Sequence, residues 1–205
     1  MRTLRQLLPA TAAIVLTACS SAPTSKLQRT QDGTTALGRV DDGFRVVAYG
    51  SDFTMAPPRG WHTVFATEQP LDAHVVCGAP DGKRLANIVI WDGSRVPTAA
   101  EVRPGPSAEA YLQMLRQSAD PKIQMSRERD IILTGGRRLR VWRFYSEYWG
   151  ERLYATFPAG SAVVSVEVGS LSRGLPLRDS MRILLESYRP NHAMERTADR
   201  SARHF

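Results

Sequence analysis

Four consecutive segments in the C-terminal half constrain the fold more than any other feature of this chain. Residues 123–133, 138–146, 152–158 and 162–168 are each about one strand long, and Gly135-Gly136, Gly150 and Ala159-Gly160 mark the turns between them. In the last segment Val164, Val166 and Val168 alternate with Ser165 and Glu167. A period of two sends one set of side chains to each face of a strand. Short glycine-bearing connections permit only antiparallel neighbours, because a parallel pair needs a crossover of about a dozen residues. The sequence therefore predicts an antiparallel run with at least one buried face.

Upstream, Phe44-Arg45-Val46-Val47-Ala48-Tyr49 reads as a strand by its β-branched and aromatic content. Phe53 and Met55 alternate as in a half-buried strand that stops at Pro57-Pro58, since proline cannot donate to a ladder. Gly60 lets the chain turn, and Trp61 can return into the core. Residues 75–79 and 85–91 flank Pro80-Asp81-Gly82, a hairpin turn by its Asp-Gly pair. Beyond Pro97, Pro104, Gly105 and Pro106, Ser107 is placed to cap a helix whose Ala108, Tyr111, Leu112, Leu115 and Ala119 share a face. Asp120-Pro121 ends it. A closing helix over 177–188 carries Leu177, Met181, Leu184, Leu185 and Tyr188 as its apolar stripe, with Arg182 and Glu186 an exposed i,i+4 pair. Pro190 stops that helix. Two amphipathic helices and strands apolar on both faces predict an α/β (α+β) fold, an antiparallel β-sheet covered by helices on both faces as an α/β/α sandwich.

The N-terminus determines the expected compartment. Arg2 and Arg5 precede an apolar run from Leu7 to Leu16, which is too short to cross a bilayer and has the form of a secretory signal. The pattern Leu16-Thr17-Ala18-Cys19 resembles the lipobox of bacterial lipoproteins. That resemblance implies a signal peptide over 1–18, a diacylglyceryl thioether at Cys19 and acylation of its new amine. An ordinary cleaved signal with a chance cysteine is the alternative. Residues 19–43 are polar and without period, and read as a lipidated N-terminus and flexible tether with a reach of roughly 25–30 Å. In enterobacterial lipoproteins an aspartate after the cysteine retains the protein on the inner membrane. Ser20 therefore implies the periplasmic face of the outer membrane.

Charge and cysteine content agree with an envelope location. The 205 residues carry 27 basic and 20 acidic side chains, a formal net charge of +7. Such a balance suits nucleic acid, anionic lipid or an acidic protein, and export discounts nucleic acid. With Cys19 alkylated, Cys77 has no intramolecular disulfide partner. It is either a reactive thiol or, more simply, a small buried apolar residue within Ala73-His74-Val75-Val76-Cys77-Gly78.

Three motifs in order, Phe53-x-x-x-Pro57-Pro58-x-Gly60-Trp61, the helix of 107–119, and Ser180-Met181-x-x-Leu184-Leu185-x-Ser187-Tyr188, resemble the PsbP-like (Mog-type, DcrB-like) superfamily. The similarity covers residues 44–190, taken as the globular domain, and leaves 191–205 as a disordered basic tail. The resemblance implies an accessory or partner-binding protein and carries over no catalytic residues.

A search for chemistry agrees with that implication. His62, His74, His192 and His204 are scattered, so no metal is expected, and no phosphate-cradling or dinucleotide glycine pattern occurs, so no cofactor is. Gly169-Ser170-Leu171-Ser172-Arg173-Gly174 misses the spacing of a nucleophile elbow. The most unusual composition lies between residues 127 and 157, where arginines interleave with aromatics. Arg138, Arg140, Trp142 and Phe144 would share one face of a strand, and Leu139, Val141, Arg143 and Tyr145 the other. Arg138, Arg140, Trp142, Arg143, Phe144, Tyr148 and Trp149 are the expected partner-binding residues, because arginine beside aromatics is enriched at binding hot spots. Arginine stems covering a core-facing aromatic row would give the same pattern. The expected partners are the membrane, through Cys19, and an envelope protein or anionic lipid. A hydrolase-type enzyme with a dispersed site and a purely structural or stress-related lipoprotein are the rival readings.

Overall fold

The computed structural model describes residues 28–29, 35–66, 73–93, 107–118, 120–134, 136–147, 150–170 and 175–191. The signal segment, Cys19, Ser20, Tyr148, Trp149 and residues 192–205 lie outside the described residues. The described strands are β1 (Gln28–Arg29), β2 (Thr35–Val40), β3 (Gly43–Ala48), β4 (Ser51–Met55), β5 (His62–Ala66), β6 (Ala73–Gly78), β7 (Arg84–Asp92), β8 (Gln124–Ile132), β9 (Arg138–Ser146), β10 (Gly150–Ala159), β11 (Ala162–Ser170) and β12 (Arg189–Pro190). The helices are α1 (Ala108–Ser118) and α2 (Leu177–Glu186).

All neighbouring strands pair antiparallel, in a small sheet ordered β1-β2-β3-β4-β12 and a large one ordered β5-β6-β7-β11-β10-β9-β8. Alternation sends Val75 and Cys77 of β6, Ile88 and Ile90 of β7, and Val164, Val166 and Val168 of β11 to one face of the large sheet. Against that face the small sheet packs Leu37, Phe44, Val46, Phe53 and Met55. Beside them α2 contributes Leu177, Met181, Leu184 and Leu185 to the same core. On the opposite face α1 places Tyr111 and Leu115 over Phe144 and Tyr154, in a smaller cluster that Ile123 and, from β8, Met125 also join.

This arrangement overturns the expected α/β/α sandwich with helices on both faces. The chain is mostly β, and the principal layer over the large sheet is another sheet. An apolar stripe states that a face is buried but carries no information about what buries it. The domain also starts before residue 44. Strand β2 falls inside the span read as tether, and its Leu37 is fully buried in a rung with Val46 and Phe53. Gly38 and Arg39 interrupt its period, which hides the strand from a pattern reading.

The two sheets are tied together at specific points. The buried Ser51 hydroxyl donates to the Ala159 carbonyl and accepts the Ala162 amide at 3.0 Å, both at the β10–β11 turn. Past the end of α2, Ser187 Oγ accepts the Ala56 amide at 2.8 Å, and the Tyr188 ring lies 5.3 Å from Phe53 and 5.1 Å from Phe157. Each edge of the large sheet is met by an arginine from elsewhere. Arg39 donates to the Thr63 carbonyl of β5 at 2.8 Å, and Arg178 of α2 donates to the Arg129 and Asp130 carbonyls of β8 at 2.6 and 2.7 Å.

Ser51→Ala leaves the Ala162 amide and the Ala159 carbonyl without this partner inside the protein. The expected loss is about 1–3 kcal/mol. It should appear as a lower urea midpoint with an unchanged slope.

Candidate functional site

The register of β8, β9 and β10 decides which arginines can meet a partner. Arg127 lies opposite Trp142, and Trp142 opposite Tyr154, so these positions share the face that carries α1. Arg138, Arg140, Trp142 and Phe144 are on this face as alternate residues of β9. Arg138 and Arg140 are exposed. Trp142 is half-buried, with the Arg127 guanidinium 5.3 Å from its ring centroid. Phe144 is fully buried and meets Tyr111 edge-on at 5.1 Å. Arg143 projects from the other face, where Glu128 and Glu151 grip it. The structure thus brings Arg138, Arg140 and Trp142 together, adds Arg127, commits Phe144 to the core and turns Arg143 away.

A second constellation on this face escapes sequence reasoning. Glu167, only 6 % exposed, accepts Arg152 Nη1 at 2.5 Å and Asn87 Nδ2 at 3.2 Å. Asn87 uses its amide group as donor, so its Oδ1 is left to accept from His74 Nε2, 3.2 Å away. At the other end the Tyr111 hydroxyl of α1 lies 3.5 Å from Arg152 Nη1. Burial pulls the His74 imidazole below its usual range, against the opposing effects of Asn87 and Glu167. Burial also pushes the Tyr111 phenol well above its own range. Burial works against the charge on Arg152, yet Glu167 and Tyr111 beside it hold the guanidinium protonated more firmly than usual. The network crosses β6, β7, β11 and β10, seats α1, and contains no nucleophile paired with a base. Its trace in the sequence is slight: Asn87 and Glu167 occupy the polar slots of otherwise apolar strands and look like ordinary alternation.

Cys77 is fully buried, with Thr63 Oγ1 3.7 Å from its sulfur, and burial pushes its thiol up to about 11. At neutral pH it is a packed apolar residue and a poor nucleophile. Among the described residues no three His, Cys, Asp or Glu side chains converge as metal ligands would. No family model, no curated protein and no solved structure matches the chain.

The lowered His74 value has a defined consequence for stability. In the unfolded chain the imidazole titrates near its ordinary 6.5, while the folded protein resists protonation. The stabilisation is therefore present above that value and is lost as pH falls through the lower native one. His74→Gln should flatten the decline in melting temperature between about pH 7 and about pH 5, as measured by calorimetry against the unsubstituted protein.

Proposed function

We propose that the chain is a lipid-anchored cell-envelope protein whose non-enzymatic domain docks an acidic protein surface on Arg138 and Arg140. The observation that carries this reading is the pair itself. The two side chains stand on one face of β9, about 7 Å apart by strand geometry, and neither has a carboxylate partner among the described residues. Arg143, by contrast, has two. Trp142 continues the row, and Ile132, 60 % exposed, stands opposite Arg138 in the register. Guanidinium forks donate to carboxylates in bidentate fashion, and a half-buried tryptophan beside them supplies apolar contact.

The anchor rests on Leu16-Thr17-Ala18-Cys19 and its resemblance to the lipobox. Each buried methylene of an acyl chain contributes about 0.8 kcal/mol, so several chains together hold a domain at the bilayer almost permanently. Ser20 supports an outer-membrane address by the same resemblance.

Charge reversal of both arginines, Arg138→Glu with Arg140→Glu, should abolish photo-crosslinking of β9 to an acidic protein in native envelopes. It should leave unfolding stability within about 0.5 kcal/mol, as expected of exposed positions. Undiminished crosslinking would remove this site. Binding of anionic vesicles in place of any protein would assign the arginines to lipid headgroups. For the anchor, Cys19→Ser should release the protein to the soluble fraction or leave it unprocessed, and unchanged detergent-dependent extraction would exclude lipidation.

A further inference from the structure

Far along the chain from the arginines of β9, the β2–β3 turn and the segment after β4 enclose a half-open cleft of about 580 Å³. Buried Pro57 and Pro58 and half-buried Trp61 supply its apolar lining. The lining also carries charge of both signs: Arg39 and Arg59 are cations, and Asp41 and Asp42 are anions. All four are exposed, and among the described residues none forms an ion pair. Arg39 instead donates to the Thr63 carbonyl, which fixes its guanidinium while leaving further donors open.

Local backbone constraints hold these groups in place. The Trp61 amide bonds the Pro58 carbonyl at 3.1 Å, closing a turn in which Gly60 has a φ of +83°. Glycine is the residue that takes this left-handed position at little cost. On the opposite wall Asp41 adopts a φ of +28°, a conformation uncommon for a residue with a side chain and a mark of constraint. Gly43 beside it lies so close to the Met55 carbonyl that any side chain would collide. The Arg84 guanidinium sits 5.7 Å from the centroid of the Trp61 ring. Opposite charges that could neutralise one another are thus carried on the end of β2 and two constrained turns, with an apolar patch in the same cleft.

We propose that this cleft binds a short zwitterionic peptide. Its terminal carboxylate meets Arg39 and Arg59, its terminal ammonium meets Asp41 and Asp42, and its body rests on Trp61 and the prolines. A cleft of this volume lies in the range that holds small ligands. Charge-assisted bonds at both ends give it a preference for ligands in which the two charges are present together. The proposal is independent of Cys19 and of Arg138 and Arg140.

The test uses the full chain and three probes: Ala-Ala, its N-acetylated form and its C-terminal amide. Binding is followed by calorimetry and by the NMR signals of the Trp61 indole and the His62 ring. Ala-Ala should bind saturably and shift both signals, and blocking either end should weaken it at least about tenfold. Arg59→Gln should reduce the penalty for amidation while keeping that for acetylation. Asp41→Asn with Asp42→Asn should do the reverse, asparagine being tolerated at the positive φ of residue 41. Equal binding of the three probes would overturn the proposal, as would the absence of any saturable shift at Trp61. The comparison of probes on the unsubstituted protein decides the matter even where a variant folds poorly.

Discussion

Strands β7 and β11 pair along their whole length, from Arg84 opposite Ser170 to Asp92 opposite Ala162. This ladder joins the β5–β7 unit to the β8–β11 meander and makes one seven-stranded sheet of them. Its register sets both faces at once. With Ile88 opposite Val166 the inward side chains form the floor of the main core, and Asn87 is thereby brought opposite Glu167 on the other side. A shift of one residue would exchange the two sets, burying a carboxylate in the apolar core and leaving Arg152 and Asn87 facing valines. The polar network from His74 to Tyr111 thus depends on the same pairing that builds the apolar centre.

The two faces divide the remaining labour. The inward face is closed by a small sheet and α2, which meet where Ser187 bonds Ala56 and the Tyr188 ring packs tilted on Phe53 and edge-on to Phe157, while Ser51 ties the small sheet to the β10–β11 turn. The outward face is closed over β9 and β10 by α1, whose Tyr111 stacks on Tyr154 at 4.4 Å and approaches Arg152 through its hydroxyl. At the edge strand β8, the arginine-bearing stretch of β9 meets solvent. The seated helix therefore separates a buried charge network from an exposed charged surface on a single sheet.

Much of this was legible from side-chain period alone. The four strands of the meander, the Pro80-Asp81-Gly82 hairpin, and the cap in which Ser107 Oγ accepts the Ala110 amide at 3.0 Å follow from local chemistry, and so does the alternation that groups Arg138 with Arg140. Local chemistry ends where partners are distant in sequence. Nothing near Leu37 announces that it packs beside Val46 and Phe53, and nothing near Glu167 announces that Arg152 and Asn87 await it. Phe144 and Arg143 show the same limit within one strand. Composition marked both as surface residues, but α1 covers the first and two glutamates hold the second.

The arginines at the two edges of the large sheet have a consequence for the protein's colloidal behaviour. An unpaired strand edge is a template on which a foreign strand can add, the first step of cross-β assembly. Here Arg39 and Arg178 occupy carbonyls of β5 and β8 that an incoming strand would need. Each guanidinium competes directly with intermolecular pairing at the carbonyls it occupies. At both edges of a sheet this long and this rich in valine, the chain's own side chains take carbonyls on which a foreign strand would otherwise pair.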